Sequence, residues 1–431
     1  MTDDTAGFTT RAVHAGRSQD AASSRATPIY LTAGFEFEDF DHAAHHFGTG
    51  AGFGYTRTGN PTVHAVERQI AALESGAEAV LVASGQAAVV TALLTVAGAG
   101  DHIVSSTHIY EGSRGLFLDN LSRLGIETTF IDDIADEDAW RRAIRPNTRA
   151  LFAESISNAR NDILDIAAVS GVADAAAIPL IVDNTLATPY LLRPLEHGAA
   201  IVVHSASKFL AGHGSVLGGV IIDDGRFDAE KAGHNAPHLV LPGRGGFPSV
   251  AARHGGKARI AYARESVAPR FGASPSPLNA FLIGQGVETL GLRVERQSRN
   301  ALDVARWLAA QDAVESVDYV GLESHPDHEL AHRYLTGGHG SIFTFTLRGG
   351  LEAARDFVER VEVFTHMTHI GDVRSLVLHP ATTSHSHRSD HEREVLGVRP
   401  GTLRLSIGIE DVSDLIADLA RVLEPARETV A

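Results

Sequence analysis

Seven short apolar runs alternate with stretches of helical periodicity between residues 79 and 222. Several of these runs are hydrophobic at every position, which is typical of strands that are covered on both faces of a sheet. The alternation of strands and helices predicts an α/β fold in which helices sandwich a mainly parallel sheet. The predicted strands are Ala79–Ala83, His102–Ser105, Thr128–Ile131, Ala150–Ala153, Leu180–Val182, Ile201–Val203 and Gly219–Ile222.

The segments before and after the predicted strands have different sequence patterns. Residues 1–60 are rich in Gly and Phe with weak periodicity and predict an extended arm. A helix is then expected to begin at Pro61, with Asn60 as its N-cap. Residues 226–277 show no pattern that predicts a particular helix or strand. We expect an N-terminal arm at 1–60, a large α/β domain at 61–277 and a smaller α+β domain at 278–431.

The C-terminal domain is predicted from a mixture of helical and strand patterns after residue 277. A large and a small domain leave a cleft between them, which is a usual place for a small-molecule site. The predicted elements are a helical stretch near Leu278–Ala310, strands Ser341–Leu347, Ser375–Leu378 and Thr402–Ile409, and helices Leu351–Val363 and Val412–Leu423.

Charge and composition exclude several classes of partner. The 37 Lys and Arg residues against 53 Asp and Glu residues give a net charge of −16, which is unfavourable for binding nucleic acid. No apolar run approaches the ~20 residues of a membrane helix, and the polar start Met1–Thr5 lacks the pattern of a secretory signal. The absence of cysteine excludes disulfides and thiolate metal sites. We expect a cytoplasmic enzyme that acts on small molecules.

Two polar residues follow neighbouring buried strands. Asp183 ends the apolar run that begins at Leu180, and Lys208 comes shortly after the run Ile201–Val203. If both strands are parallel, their carboxyl ends meet at one edge of the sheet, where open α/β sheets bind ligands. The sequence therefore predicts that Asp183 and Lys208 face a common pocket.

This pair suits pyridoxal 5′-phosphate (PLP). PLP requires a lysine amine for a Schiff base and a carboxylate that keeps its pyridine nitrogen protonated. Its phosphate requires an anion site, and Ser84-Gly85-Gln86 lies between a predicted strand and a predicted helix. The N-terminus of such a helix favours an anion, and the hydroxyls of Ser205 and Ser207 can add donors.

Longer motifs resemble one known family. The run His204–Gly214 resembles the lysine segment of the Cys/Met-metabolism family of fold-type I PLP-dependent enzymes, and the similarity extends over roughly residues 10–425. The resemblance implies PLP as cofactor and a homo-oligomer, usually a tetramer built from catalytic dimers. Further matching motifs are Ala26–Tyr30, Tyr55–Thr62, Val182–Pro189, Gly371–Ala381 and Arg404–Glu410.

The resemblance also implies roles for the residues that match these motifs. Lys208 would form the Schiff base and move protons, Asp183 would pair with the pyridinium, and Tyr110 would stack on the ring. Tyr55 and Arg57 would reach the phosphate from a neighbouring subunit, with Tyr55 also close to the reacting amine. The remaining assignments are Gly85, Gln86, Ser205 and Ser207 at the phosphate, Asn158 at the phenolic oxygen, and Arg404 with Ser375 and Asn158 at the substrate carboxylate.

The local pattern around Arg404 agrees with a role in a cleft. Leu403, Leu405, Ile407 and Ile409 alternate onto one face of a predicted strand, so that Arg404 points the other way. A guanidinium is suited to this task because its planar donors can bind a carboxylate through two hydrogen bonds.

Some positions differ from the family pattern. Ser207 stands where a threonine usually precedes the lysine, a change that keeps the hydroxyl. Asn158 is followed by alanine instead of the common proline. Glu111 and Arg114 replace small residues after the predicted stacking tyrosine, at the expected mouth of the pocket.

The stretch Ser276–Arg296 most resembles the O-acetylhomoserine sulfhydrylase branch of this family, and Gln86 and the long 226–277 segment lean the same way. The predicted reaction is γ-replacement of O-acetyl-L-homoserine by sulfide to give L-homocysteine and acetate, within methionine and cysteine biosynthesis. Cystathionine γ-synthase and methionine or cystathionine γ-lyase stay open as alternatives, because the same cradle supports them. The acyl group and the sulfur nucleophile also stay open.

Two histidine clusters suggest a metal at first sight. His328-Glu329-Leu-Ala-His332 is an H-E-x-x-H sequence, the pattern of a zinc peptidase. With 23 histidines in the chain, and Gly337 soon after, we interpret it as incidental. The second cluster is interpreted as a mixture of cleft-lining and solvated side chains, so that no metal is expected. It comprises His379, His385, His387 and His391.

Overall fold

The computed structural model describes residues 6–17, 23–158 and 160–423. The polar start Met1–Thr5 and the end of the predicted C-terminal domain, residues 424–431, lie outside the described residues. Within the described part of the chain, no helix is both long enough and apolar enough to cross a membrane.

A seven-stranded sheet forms the centre of the predicted large domain. Its strand order is β1-β7-β6-β5-β4-β2-β3, and β7 runs antiparallel to both of its neighbours while all other pairs are parallel. The prediction of a mainly parallel sheet is thus confirmed, and each predicted strand lies within two residues of the observed one. The strands are β1 Glu78–Val82, β2 His102–Ser106, β3 Glu127–Ile131, β4 Thr148–Glu154, β5 Leu180–Asp183, β6 Ile201–His204 and β7 Gly219–Asp223.

Helices cover both faces of this sheet. Consecutive residues of one strand therefore belong to different hydrophobic cores, as Ile181 and Val182 of β5 do. Burial on both faces explains why the strands are hydrophobic at every position. The helices of this region are Pro61–Leu73, Gly85–Val96, Glu111–Gly115, Leu116–Leu121, Ser122–Leu124, Glu137–Ala143, Ile166–Ala175, Thr188–Leu191 and Pro194–His197.

Two regions differ from the sequence expectation. The N-terminal segment is not simply extended, because it forms helices at Phe8–His14 and Phe40–Thr49, the second of which is capped by Asp39. The segment that resisted assignment is a chain of short turns of helix rich in Gly and Pro. These turns are Ala229–Ala232, Gly233–Asn235, Pro237–Val240, Arg244–Gly246, Val250–His254, Gly255–Lys257, Ala258–Tyr262, Ala263–Val267 and Ala268–Phe271.

The C-terminal part contains a five-stranded sheet in the order β10-β11-β12-β9-β8. The predicted helical stretch near Leu278–Ala310 is divided at Thr289, and two short edge strands, β8 and β10, were not predicted. The strands are β8 Val314–Asp318, β9 Ile342–Leu347, β10 Thr365–His366, β11 Leu376–Leu378 and β12 Thr402–Ser406. The helices are Pro277–Glu288, Leu290–Ala309, His328–Tyr334, Gly350–Arg360, Pro380–Thr382, Asp390–Val395 and Val412–Leu423.

A buried polar network fastens the carboxyl edge of the large sheet. Asn184, directly after β5, donates to Glu74 Oε1 at 2.9 Å and to the Leu192 carbonyl at 2.8 Å. Its own side-chain oxygen accepts from Ser155 Oγ at 2.8 Å. Glu74 also contacts His204 Nε2 at the end of β6. The network therefore joins three neighbouring strand ends to the helix Pro61–Leu73.

Replacing Asn184 should test this role. Asn184→Ala removes three buried hydrogen bonds, of which only the one to Glu74 leaves its partner with another contact, from His204. We expect the free energy of unfolding to fall by about 2–4 kcal/mol in urea titrations. Asn279→Ala is the control, because the side chain of Asn279 lies near the surface and, within the described part of the chain, makes one hydrogen bond, to the Leu217 carbonyl. Its effect should stay below about 1 kcal/mol. Equal effects of the two substitutions would contradict a structural role for the network.

Candidate active site

A cavity of about 570 Å³ opens at the carboxyl ends of β4, β5 and β6, and residues of the C-terminal part close its other side. Most residues that the sequence assigned to a PLP site line this one cavity. They are Gly85, Gln86, Tyr110, Asn158, Asp183, Ser205, Ser207, Lys208 and Arg404. The parallel topology brings them together, because residues far apart in sequence follow strands that end at one edge.

Lys208 lies in the loop after β6. Its Nζ atom is 2.9 Å from Nδ1 of His369, which comes from the segment between β10 and β11. Burial, together with a smaller contribution from the positive charge of Arg404, lowers the pKa of Lys208 to about 8. A substantial fraction of this amine is therefore neutral near pH 8, which makes it a competent nucleophile and base.

Asp183 ends β5 and also lines the cavity. The backbone N–H and the hydroxyl of Thr185 both donate to its Oδ1, at 3.0 and 2.5 Å. Burial raises the pKa of Asp183 above its ordinary value, while the two Thr185 hydrogen bonds and the nearby His204 act against that rise. A cationic ligand atom beside this carboxylate would relieve the cost of burying it.

Glu154, at the end of β4, is a site residue that the sequence reasoning missed. It is paired in register with Asp183, and burial together with the charge of Asp183 raises its pKa well above the usual range. Its two oxygens accept from the backbone N–H of Tyr110 at 2.6 Å and of Asn158 at 3.1 Å. Glu154 thus holds two predicted ligand-binding residues. An acidic residue directly after a buried strand was the available signal, the same one that identified Asp183.

The start of the helix Gly85–Val96 forms the anion-binding end of the cavity. Ser84 caps this helix by accepting from the Ala87 N–H at 3.1 Å. A Cβ atom on Gly85 would lie only 2.5 Å from Cβ of Ser205, so glycine is required for the helix to approach the loop before Lys208. The free N–H groups at this helix start, beside Ser205, suit a phosphate. Ser207 contributes less, because its hydroxyl already donates to the Gly218 carbonyl.

Arg404 stands on β12 on the opposite side of the cavity. It is only 6% exposed, and its Nη1 donates to Asn158 Oδ1 at 3.2 Å. Among the described residues no carboxylate forms an ion pair with Arg404, and burial lowers its pKa to about 10. A buried cation without a counter-ion favours an anionic ligand group, and the guanidinium can bind a carboxylate through two hydrogen bonds.

Three predicted site residues lie outside this cavity. Ser375 does not line it, because its hydroxyl donates to Glu410 Oε2 at 2.9 Å and accepts from the Gly408 N–H, which fastens the start of β11 to the chain after β12. Tyr55 is 49% exposed, and Arg57 lies over its ring and donates to the Pro269 carbonyl at 3.1 Å. Within one chain, neither residue reaches the cavity of its own site.

The mouth of the cavity carries the residues that differ from the family pattern. Glu111 accepts from Nε and Nη2 of Arg388 at 3.0 and 2.7 Å, so it joins the helix after Tyr110 to the segment before Asp390–Val395. Arg114 extends this contact weakly toward Glu392, at 3.9 Å. His385, from the second histidine cluster, lines the cavity here. The charges at the mouth are thus paired with each other.

The first histidine cluster is a separate feature. His328 and His332 lie on the helix His328–Tyr334 with their Nε2 atoms 3.1 Å apart. Across residues 6–17, 23–158 and 160–423, no group of three or more His, Cys, Asp or Glu side chains is arranged to hold a metal ion. The described structure therefore contains no set of ligands that would support the zinc-peptidase alternative.

The residues of the cavity fit PLP. A lysine amine, a buried carboxylate with no ion pair among the described residues, and the start of a helix surround one space of sufficient size. Each answers one chemical requirement of the cofactor, namely the aldehyde, the pyridine nitrogen and the phosphate. Arg404 remains as an additional binding group for an anionic substrate.

Comparisons with known proteins agree with this fit. Residues 9–424 match the family described as Cys/Met metabolism PLP-dependent enzymes. The chain is 44% identical to the O-acetyl-L-homoserine sulfhydrylase of Corynebacterium glutamicum, over 96% of each chain. It is 41% identical to the homocysteine synthase of Schizosaccharomyces pombe, over 97% of this chain and 98% of that one.

Solved structures give the same result. A putative O-acetylhomoserine (thiol)-lyase from Campylobacter jejuni, which carries N′-pyridoxyl-lysine-5′-monophosphate, matches with a TM-score of 0.93 and 35% identity. The match covers 97% of this chain and all of that one. The metB protein from Corynebacterium glutamicum matches with a TM-score of 0.83 and 32% identity, over 97% of this chain and 98% of that one.

The raised pKa of Asp183 predicts a specific pH dependence in the ligand-free chain. Because the folded state binds this proton more tightly than the unfolded state, the free energy of unfolding should fall as pH rises from the ordinary aspartate range, near 4, through the raised value. Asp183→Asn keeps the acceptor for Thr185 but removes the charge. The variant should lose less stability between pH 5 and 8, by on the order of 1 kcal/mol in urea titrations. Parallel pH profiles for the two proteins would contradict this account.

Proposed function

This chain belongs to the Cys/Met metabolism family of PLP-dependent enzymes, and from this we propose that it converts O-acetyl-L-homoserine and sulfide into L-homocysteine and acetate. One structural observation carries the proposal: the buried Arg404, which forms no ion pair within the described part of the chain, shares a cavity with Lys208 and Asp183. An amino-acid substrate brings the carboxylate that Arg404 lacks. The names of the C. glutamicum and S. pombe relatives support the choice of reaction within the family.

PLP is the cofactor of this family. When bound, it supplies an electron sink that stabilises negative charge at the α-carbon of the substrate. We assign Lys208 to its aldehyde, Asp183 to its pyridine nitrogen and Tyr110 to the face of its ring. The helix start at Gly85 and Gln86, with Ser205 beside it, is assigned to the phosphate.

Lys208 is the proposed base. Its amine, with a pKa lowered to about 8, can accept the proton from the α-carbon of the substrate near neutral pH and return it later. Removal of a proton from Cβ then allows the Cγ–O bond to break, so that acetate leaves with the bonding electron pair. Hydrosulfide forms the new Cγ–S bond, and the protons removed at Cα and Cβ are returned to complete L-homocysteine.

Arg404 orients the substrate for these steps. Its guanidinium would bind the α-carboxylate, while Asn158, which already accepts from Arg404, holds the guanidinium in place. Glu154 positions Asn158 and Tyr110 through their backbone N–H groups. Because these supports come from β4 and β12, the substrate is bound between the two sheets.

We further propose that the site is completed by a second copy of the chain, in a tetramer built from catalytic dimers. Tyr55 and Arg57 do not line the cavity of their own chain, and Tyr55 is half exposed. From a neighbouring subunit they would place a phenol and a guanidinium at the phosphate. Co-expression of a Tyr55→Phe chain with a Lys208→Ala chain, which restores activity in mixed dimers, is the measurement that supports this arrangement.

Covalent labelling tests the assignment of Lys208. The chain contains three lysines, and the other two, Lys231 and Lys257, are about half exposed and paired with acidic residues. Borohydride reduction followed by peptide mapping should place the pyridoxyl label on Lys208 alone. Lys208→Ala should lose homocysteine synthesis by at least about 10³-fold, whereas Lys231→Ala should retain it. Label on another lysine, or an active Lys208→Ala, would refute the proposal.

Product analysis tests the choice of reaction. We expect purified protein with O-acetyl-L-homoserine to form homocysteine and acetate in stoichiometric amounts only when sulfide is present. Preferential formation of cystathionine when cysteine is offered would instead identify a cystathionine synthase. Release of ammonia and a keto acid with no added thiol, at a comparable kcat/KM, would identify a γ-lyase.

A further inference from the structure

Among the described residues, His369 is the one side chain that forms a hydrogen bond with Lys208 Nζ, and neither the sequence motifs nor the proposed chemistry gives it a role. It lies between β10 and β11 and lines the cavity. Its Nδ1 atom is 2.9 Å from Lys208 Nζ. Its other ring nitrogen, Nε2, is buried and has no hydrogen-bond partner among the residues that the structure describes. The contact with Lys208 therefore accounts for the polar interactions of this ring within residues 6–17, 23–158 and 160–423.

The imidazole is neutral in this environment. Burial lowers the pKa of His369 to about 4, with a smaller contribution from the charge of Lys208. Asp372 acts in the opposite direction, while Arg404 from β12 and Arg374 from the same segment act in the same direction as Lys208. A neutral ring forms no ion pair that could hold it in place, and Nε2 adds no hydrogen bond within the described residues. Its position is therefore explained by the lysine that it contacts.

We propose that His369 is a positioning residue for the proposed reaction, whose neutral Nδ1 accepts a hydrogen bond from the Lys208 ammonium group whenever that amine is not bound to the cofactor. During turnover the Lys208 amine is released, takes up protons from the substrate and must return them at a defined place. An acceptor at 2.9 Å holds the ammonium group in one orientation between these steps.

A neutral acceptor is suited to this position for an electrostatic reason. Arg404 already lowers the pKa of Lys208, so a further positive charge would weaken its basicity. A carboxylate here would pair with Lys208 and compete with the substrate for Arg404. Uncharged imidazole orients the ammonium group and avoids both effects.

The inference rests on the proposed function through the assignment of Lys208, and two variants test it. His369→Leu removes the acceptor at similar volume, whereas His369→Asn keeps an acceptor near the place of Nδ1. In the cofactor-free full-length protein, the rate of PLP uptake should rise with pH as Lys208 becomes neutral. The midpoint of that rise should move down by about one pH unit in His369→Leu, since the ammonium form loses its hydrogen bond. In His369→Asn it should stay within about 0.3 units of the parent.

The holoenzyme supplies a second measurement. With full PLP content, His369→Leu should lose about tenfold or more in kcat while KM changes less than about threefold, and His369→Asn should recover most of that loss. An unchanged uptake midpoint in His369→Leu overturns the inference, and so does a His369→Asn profile that follows His369→Leu. If reduction also fails to label Lys208, the proposed function falls as well. With Lys208 labelled, only the role of His369 is rejected.

Discussion

Burial of charged groups that are incompletely paired is the constraint on which this site depends. At the carboxyl edge of the large sheet, the same loss of water raises the pKa values of Asp183 and Glu154 and lowers that of Lys208. It also lowers the pKa of Arg404 across the cavity. In the absence of ligand the burial of each group costs free energy, because a desolvated charge that is incompletely paired is unfavourable. The site is thereby prepared for a ligand that brings a cation to the carboxylate and anions to the helix start and to Arg404.

The scaffold that sustains this burial is polar as well as hydrophobic. Asn184, Glu74 and His204 form a network at the strand ends. Because Asn184 directly follows Asp183 and His204 precedes the Lys208 loop, the network holds the backbone of both segments in place. Glu154 holds Tyr110 and Asn158 in place by accepting hydrogen bonds from their backbone N–H groups. Hydrogen bonds to backbone N–H groups orient a segment without depending on its side chain, which allows the side chain to be used for the ligand.

Much of this could be predicted from the sequence, for reasons that differ between elements. The seven strands were recognisable because burial on both faces makes them continuously apolar, and Asp183 and Lys208 because each follows such a strand. The edge strands β8 and β10 were not predicted, because Val314–Asp318 is partly exposed and Thr365–His366 is only two residues long. Ser375 was expected at the substrate, but its hydroxyl is used by Glu410 and Gly408, a pairing that local sequence does not reveal.

Local periodicity and motifs are enough to predict the order of strands and helices, the family and the residue types that PLP chemistry requires. Which side chains come into contact, by contrast, depends on how the chain folds as a whole. The contact of Lys208 with His369 joins positions 161 residues apart, and that of Arg404 with Asn158 joins positions 246 residues apart. Neither pair belongs to one element or one motif. Their proximity, and the pKa values that follow from it, arise because folding brings two sheets together and excludes water between them.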